Sequence, residues 1–137
     1  MRLKDKVAII TGGSRGIGYA TADAFLREGA KVILTASSQE SADKAVAQLK
    51  AKYPHSTIAG ISPNLADLKS VRDAFVIATA QYGCVDILVN NSHLRGCVKG
   101  GFDNGTMEGF AESLQVNGAG LMIMSRTFGK LMAENAR

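Results

Sequence analysis

Residues 11–18 read TGGSRGIG and lie between the apolar run VAII at 7–10 and an amphipathic segment that begins at residue 16. Three of the glycines have distinct uses in such a turn. Gly12 permits a tight turn, Gly16 lets backbone N–H groups approach a bound phosphate, and Gly18 lets the following helix pack against the strand. The spacing is G-x-x-x-G-x-G, which differs from the common G-x-G-x-x-G fingerprint of dinucleotide sites. The stretch therefore predicts a strand, a phosphate-binding turn and a helix.

Apolar runs and helix-period segments alternate along the rest of the chain. Strands are predicted over 7–11, 31–35, 57–61 and 85–90, and helices over 16–28, 38–52, 67–82 and from about 106 onward. Such alternation is typical of a parallel sheet covered by helices, and right-handed crossovers give the strand order 3-2-1-4. The expected fold class is α/β, a doubly wound Rossmann-type sheet with a ligand crevice at the carboxyl ends of strands 1 and 4.

Two predicted helices have one apolar face each, which is expected to lie on the sheet. The first face consists of Ala42, Ala45, Val46, Leu49 and Tyr53, and the second of Leu68, Val71, Phe75, Ala78 and Tyr82. Gly29 and Gly83 follow the first and third helices, where a left-handed residue without a Cβ ends a helix.

Composition narrows the class of protein. With 137 residues, 46% of them apolar, the chain is long enough for one domain over 1–137. No stretch has the roughly 18 apolar residues of a membrane helix, and the charges within 1–10 do not suit a signal peptide, so a cytoplasmic location is expected. Cys84 and Cys97 have no paired spacing and no nearby histidine, which predicts reduced thiols and no metal site. The net charge of +4 is spread along the chain, so nucleic acid is not an expected partner.

The end of the second strand bears on the choice of cofactor. An acidic residue there hydrogen-bonds the ribose 2′-hydroxyl of NAD and repels the 2′-phosphate of NADP, but this chain has Ala36. Arg15, Ser37 and Ser38 are placed to surround a 2′-phosphate with a guanidinium and two hydroxyls, which favours NADP over NAD. In the alternative interpretation, Ser37 is an N-cap with Glu40 at N3, and Arg15 is a solvated surface residue.

Three motifs together resemble the short-chain dehydrogenase/reductase family, in its 3-oxoacyl-carrier-protein-reductase-like branch. They are TGGSRGIG at 11–18, VDILVNN at 85–91 and LQVNGAG at 114–120. The resemblance implies an NAD(P)-dependent oxidoreductase that transfers a hydride between the nicotinamide and a carbonyl or alcohol carbon.

The resemblance also implies roles for individual residues. Asn117 matches the family's catalytic asparagine, which helps to organise a proton-relay water. Asn64 and Leu65 occupy the place where the family meets the adenine, and Asn90 would lie beside the cofactor after the fourth strand. The predicted cofactor contacts are Gly12, Ser14, Arg15, Gly16, Ile17, Gly18, Ser37, Ser38, Asn64, Leu65 and Asn90.

Asn117 also has a structural interpretation. It falls within an apolar stripe of the last helix formed by Phe110, Leu114, Leu121, Met124, Phe128 and Leu131. A buried amide there must find partners or cost a few kcal/mol. Gly118 and Gly120 each cost roughly 1 kcal/mol relative to alanine in a helix interior, which indicates a local distortion or close packing. On these grounds a catalytic and a structural role both stay open.

Two features depart from the family pattern. The family's Asn-Asn-Ala-Gly is here NNSH, so that His93 either weakens cofactor binding or is a loop residue without a chemical role.

The family's Tyr-x-x-x-Lys dyad is absent from this sequence. None of its tyrosines has a lysine four positions later: Tyr19 is followed by Asp23, Tyr53 by Thr57 and Tyr82 by Asp86. Since that lysine lowers the pKa of the tyrosine that acts as general acid, little or no turnover is expected from this chain alone.

The last helix has no glycine or proline stop signal after its apolar stripe, so the chain looks interrupted. Further strands of the family would pair beside strand 4, which leaves an apolar edge. The expected protein is therefore the N-terminal, NADP-binding portion of a reductase, which is a marginal monomer or self-associates through that edge and the last helix. The alternatives are a non-catalytic NADP-binding or oligomerisation module, and half of a split reductase completed by another chain.

Overall fold

Four parallel strands form the centre of the molecule in the order β3-β2-β1-β4. The computed structural model describes residues 1–64, 67–93 and 103–136. The strands are β1 (Val7–Ile10), β2 (Lys31–Thr35), β3 (Ile58–Ile61) and β4 (Ile87–Val89). The predicted α/β class and strand order are confirmed. β4 is shorter than the predicted 85–90, because its ladder to β1 begins at the pairing of Ala8 with Ile87.

The register of the sheet places the ends of three strands side by side. Ile10 at the end of β1 pairs with Leu34 of β2 on one side and with Val89 of β4 on the other. The winding of the sheet reverses between β1 and β4, since β2 and β3 lie on the opposite side of β1. The segments that follow β1 and β4 therefore meet at the carboxyl edge of the sheet, where α/β folds bind their ligands.

Five α-helices and one π-helical turn are present in the described residues. They are α1 (Gly16–Arg27), α2 (Gln39–Lys52), α3 (Leu68–Tyr82), α4 (Met107–Leu114), the π turn (Gln115–Ala119) and α5 (Gly120–Glu134). Gly29 and Gly83 have φ values of 85° and 87°, so both have the positive φ predicted for the residues that follow α1 and α3. At Gly83 ψ is −130°, which lies outside the left-handed helical region.

The start of α2 corrects one sequence interpretation. Its N-cap is Ser38, whose Oγ accepts the backbone N–H of Ser41 at 3.2 Å. Ser37 is therefore not the cap, and the residue at N3 is Ser41 rather than Glu40. Ser38 is the cap because its extended backbone (φ −146°, ψ 153°) aims the hydroxyl at the first turn of the helix, as an N-cap requires.

Helices cover both faces of the sheet. On one face, α1 and α2 pack against β-strand residues such as Ile10 and Leu34. On the other, α3 and α5 pack against Ile9 and Ile33. The predicted faces of α2 and α3 lie on the sheet, with one exception: Leu68 in the first turn of α3 is 47% exposed. The core is thus two apolar layers separated by a sheet that is buried on both sides.

The last helix differs from the continuous helix that the sequence predicted. A π turn contains one more residue per turn than an α-helix, so it rotates the apolar residues before it by about 100° relative to those after it. Met124 and Phe128 of α5 are therefore buried, whereas Phe110 is 49% and Leu114 60% exposed on α4. The predicted single apolar stripe is wrong, because the two halves of the helix point in different directions.

The glycines of this segment support the prediction of a local distortion. A Cβ added at Gly118 or Gly120 would have no other atom within 4 Å, so close packing is not the reason for either glycine. Asn117 is half-buried rather than buried, and its Nδ2 donates to Ser113 Oγ at 3.2 Å.

Within the described residues, no helix is long and apolar enough to cross a membrane. In the same ranges, no three His, Cys, Asp or Glu side chains are grouped so that they could hold a metal ion.

Candidate functional site

The glycine-rich turn between β1 and α1 is built on two left-handed glycines. Gly12 has φ +65° and Gly16 φ +55°, a conformation that residues with a Cβ adopt at a cost. A Cβ added at Gly16 would meet no other atom within 4 Å, so the start of α1 is open on that side. The turn thus presents the N-terminus of a helix to solvent, which is the geometry that binds phosphate groups.

The other two glycines of the turn allow close packing. A Cβ at Gly18 would overlap the carbonyl oxygen of Gly12 and lie 2.5 Å from Nδ2 of Asn91. A Cβ at Gly13 would lie 2.6 Å from the Cβ of Leu34 in β2. Gly18 therefore lets α1 approach the turn itself, and Gly13 lets the turn approach the neighbouring strand.

Polar side chains from two neighbouring strands fix the turn. Asn91 Nδ2, after β4, donates to the carbonyl oxygens of Thr11 at 3.0 Å and Gly12 at 3.2 Å. The hydroxyl of Thr11 accepts the backbone N–H groups of Asn91 and Ser92, each at 3.0 Å. On the β2 side, Thr35 Oγ1 accepts the N–H of Gly12 at 3.2 Å. The turn is held in place before any ligand arrives.

A cavity of about 190 Å³ lies beside the turn. It is lined by Ser14, Arg15, Ser37, Ser41, Lys44, Ala45 and Gln48. Three residues that the sequence assigned to the cofactor are brought together here, namely Ser14, Arg15 and Ser37. Ala36 occupies the position where an acidic residue would select NAD. Its side chain is a methyl group, and the residue is 7% exposed.

Other predicted cofactor residues lie outside this cavity. The Ser38 hydroxyl caps α2 and donates to Ser41 Oγ at 3.0 Å. Asn90 Nδ2 donates to Ser125 Oγ at 2.8 Å, which connects the end of β4 to α5. Asn64 is exposed after β3, its backbone N–H bonded to Ser70 Oγ at 2.7 Å. Ile17 is 79% exposed at the start of α1, and Leu65 lies outside the described residues.

Asn117 lines a second, smaller recess of about 20 Å³. Ser92 and His93 line the same recess, together with Val116, Gly120, Leu121 and Met124. The structure thus brings the predicted catalytic asparagine next to the segment that follows β4. Asn117 belongs to the π turn, and single π turns occur frequently at functional sites.

A family model described as short chain dehydrogenase matches residues 6–137. The chain belongs to the short chain dehydrogenase family.

Two curated relatives illustrate the similarity to this family. A 3alpha-hydroxysteroid dehydrogenase of Mediterraneibacter gnavus is 40% identical over 134 residues, which are 98% of this chain and 53% of that protein. A 3-oxoacyl-(acyl-carrier-protein) reductase of Vibrio cholerae is 40% identical over 92 residues, which are 67% of this chain and 36% of that protein.

Solved structures of the family have the same fold. The crystal structure of levodione reductase has a TM-score of 0.86 at 27% identity and covers 97% of this chain and 51% of that one. A short chain dehydrogenase from Burkholderia cenocepacia, solved in complex with NADP, has a TM-score of 0.79 at 33% identity. The match covers 95% of this chain and 52% of that one. The chain spans about half the length of the first curated relative and of these two structures.

Sequence reasoning did not single out two residues that contact the turn or line its cavity. Asn91 was present in the motif VDILVNN, yet only Asn90 was singled out, because nothing in the pattern says which amide faces the turn. Lys44 lines the cavity from α2, and its position could have been found only by projecting the first two turns of α2 onto a helical wheel.

Proposed function

We propose that this chain binds NADP(H) through the glycine-rich turn and the adjoining cavity, as the cofactor-binding portion of a short-chain reductase. One combined observation carries the proposal. Arg15 lines a cavity together with Ser14 and Ser37, and the residue at the end of β2 is the buried Ala36 rather than an acidic residue. A guanidinium and hydroxyls suit a phosphate, and the methyl of Ala36 does not repel one. The Burkholderia relative that was solved with NADP supports the same choice.

The residues of the turn fit the pyrophosphate of such a cofactor. Gly16 is left-handed and open, so backbone N–H groups at the start of α1 are accessible to an anion. The turn is already fixed by Asn91 and Thr11, so little ordering is required on binding. Ser14 and Ile17 belong to the same turn, while Ser38, Asn64, Leu65 and Asn90 stay predictions as further contacts.

When bound, a nicotinamide cofactor supplies a hydride to a carbonyl or accepts one from an alcohol. This chain contributes Asn117, which lines a recess together with His93. We propose that Asn117 positions a water there for proton transfer. The sequence contains no Tyr-x-x-x-Lys, and we therefore propose that the chain alone turns over little or no substrate. The cytoplasmic location expected from the sequence stays a prediction.

Fluorescence titration with NADPH and NADH tests the binding proposal. We expect NADPH to bind more tightly than NADH, and Arg15→Ala to remove most of that difference. Arg126→Ala is the matched control, because Arg126 is an exposed arginine of α5 on another part of the molecule. Tighter binding of NADH than of NADPH would overturn the proposed cofactor preference, and binding of neither would overturn the proposed function.

An oligomerisation module is the second candidate, and one observation favours it. A set of large apolar side chains on α4 and the start of α5 is exposed: Met107, Phe110, Leu114, Leu121, Met122 and Ile123. β4, which has no second neighbouring strand in the described residues, adds an edge. We propose a homo-oligomer through this helix face or that edge. Light scattering checks it, and a monodisperse monomer that melts cooperatively contradicts it.

Turnover assays separate the catalytic alternatives. With common ketones and NADPH, the chain alone is expected to be inactive. Activity that appears only when a complementing chain is added, one that is itself inactive alone, indicates a split reductase. Binding of NADPH without activity under either condition indicates a non-catalytic module.

A further inference from the structure

One wall of the cavity beside the glycine-rich turn is a face of α2. Ser41, Lys44, Ala45 and Gln48 line it, at the i, i+3, i+4 and i+7 spacing that places side chains on one side of a helix. Ala45 is small and 2% exposed, which leaves space between the longer side chains on either side of it. The turn supplies Ser14 and Arg15, so the cavity is bounded by two different elements.

The charge of this cavity is positive. Its lining residues, all of them within the described ranges, include two cations, Arg15 and Lys44, and no carboxylate. Neither cation forms an ion pair with the described part of the chain. Two positive charges are thus directed at one space without a neutralising partner.

The remaining lysines of α2 behave differently from Lys44. Lys52 forms an ion pair of 2.6 Å with Asp23 of α1, and Lys50 donates to the carbonyl oxygen of Ser56. Both have structural partners that connect α2 to its neighbours. Lys44 has no such partner in the described part of the chain; it is exposed and lines the cavity.

The size and donors of the cavity define the chemical class of its occupant. At about 190 Å³ it is below the roughly 300–1,000 Å³ of a complete ligand pocket, so it accommodates one part of a larger ligand. Two cations, the hydroxyls of Ser14, Ser37 and Ser41, and the amide of Gln48 are donors suited to a phosphate monoester. We infer that Lys44 determines cofactor specificity by contacting the ribose 2′-phosphate of NADP(H) from α2, across from Arg15. This inference rests on the proposed function.

The test compares NADPH with NADH, which lacks the 2′-phosphate, in fluorescence titrations of the whole chain at low salt. Lys44→Gln should weaken NADPH binding roughly five- to tenfold and change NADH binding less than about twofold, because the charge acts on the phosphate alone. Lys4→Gln is the matched control: it removes the same charge from an exposed residue that precedes β1, away from the cavity, and both dissociation constants should stay at the wild-type value. Competition titrations with adenosine 2′,5′-bisphosphate and with adenosine 5′-monophosphate make the same comparison, with and without the 2′-phosphate, on the adenosine half of the cofactor.

Each outcome assigns the result to one of the two proposals. Wild type that prefers NADPH while Lys44→Gln keeps the full preference overturns the role of Lys44 and leaves the proposed function standing. Equal weakening of NADPH and NADH also overturns it, since the residue would then act on the fold or on the shared part of the cofactor. Wild type that binds neither nucleotide overturns the proposed function first. An unchanged melting temperature for Lys44→Gln verifies that the helix is intact, since glutamine and lysine have similar helix propensities.

Discussion

Nδ2 of Asn91 lies 3.0 Å from the carbonyl oxygen of Thr11, and this contact joins the end of β4 to the start of the glycine-rich turn. The same amide also donates to Gly12 at 3.2 Å. Replacing Asn91 by alanine leaves both carbonyl oxygens without their donor. Because each unsatisfied group costs about 1–3 kcal/mol when partly buried, we expect Asn91→Ala to lower the free energy of unfolding by about 2 kcal/mol.

Urea denaturation measures that loss, and NADPH titration measures its effect on the turn. Asn135→Ala is the control, because its Nδ2 makes one exposed hydrogen bond, to Leu131, and the expected change is below about 0.5 kcal/mol. Equal stabilities of the two variants would show that Asn91 does not hold the turn.

Gly18→Ala places a methyl group against the backbone of the turn. The added Cβ would overlap the carbonyl oxygen of Gly12 and crowd Nδ2 of Asn91. Neither group is free to move away, because Nδ2 of Asn91 also bonds the carbonyl oxygen of Thr11 and the N–H of Gly12 bonds Thr35 Oγ1. We expect a loss of about 1–3 kcal/mol in unfolding free energy. Gly129→Ala in α5 meets no atom within 4 Å, and helix propensity alone predicts a gain of up to about 1 kcal/mol there. Thermal unfolding should therefore show that Gly18→Ala destabilises the protein and that Gly129→Ala stabilises it. A change in stability of the same sign for both variants would contradict this expectation.

Phe128 docks α5 onto α3. Its ring packs edge-to-face on Phe75 with centroids 5.4 Å apart, and the side chain is 3% exposed. We expect Phe128→Ala to cost about 3–5 kcal/mol. Phe110→Ala removes the same side chain from a position that is 49% exposed, so its cost in chemical denaturation should stay below about 1 kcal/mol. A small effect at Phe128 would mean that α5 is not docked as described.

The ion pair between Asp23 and Lys52 gives the stability a pH dependence. The hydrogen bond from Lys52, at 2.6 Å, holds the pKa of Asp23 below its ordinary value. A carboxyl whose pKa falls on folding stabilises the folded state above its unfolded pKa, and that contribution is lost as the pH falls through the folded pKa. Between about pH 5 and pH 2, wild type should therefore lose slightly more stability than Asp23→Asn, by about 0.5 kcal/mol for a pair at the surface.

Urea denaturation across that pH range provides the measurement. Asp73→Asn is the control, because Asp73 pairs with Lys69 within α3 and its side chain is 58% exposed, against 21% for Asp23. Parallel pH profiles for wild type and Asp23→Asn would contradict the expected contribution.

The sequence predicted the sheet because its signals are local and agree with one another. The run VAII becomes β1, Gly29 and Gly83 end helices as expected, and the apolar face of α2 reaches the core through Ala42 and Leu49. Right-handed crossovers then leave little choice of strand order. The interpretation of Ser37 as a cap failed by one residue, because several hydroxyls in sequence offer the same capping chemistry and only the backbone angles distinguish them.

The site was predictable only in part. Arg15 and Ser37 were assigned to the cofactor from a motif and a strand end, and the structure places both on one cavity. Their contacts with a cofactor stay predictions. Asn91 and Lys44 were missed, since their contacts depend on how side chains point across elements that are distant in sequence. The burial of Asn117 was overestimated, because helical periodicity assumes a constant number of residues per turn and the π turn breaks that assumption.

The π turn divides the last helix into parts that evolution can vary separately. α5 is constrained by the core through Met124 and Phe128, whereas α4 points elsewhere and carries its exposed apolar residues without a contribution to that packing. Substitutions on α4 can therefore change this exposed apolar surface, which we propose as an association surface, while the folding stability stays nearly constant. A relative could acquire a new association surface here by changing side chains alone, with no compensating mutation beneath the sheet.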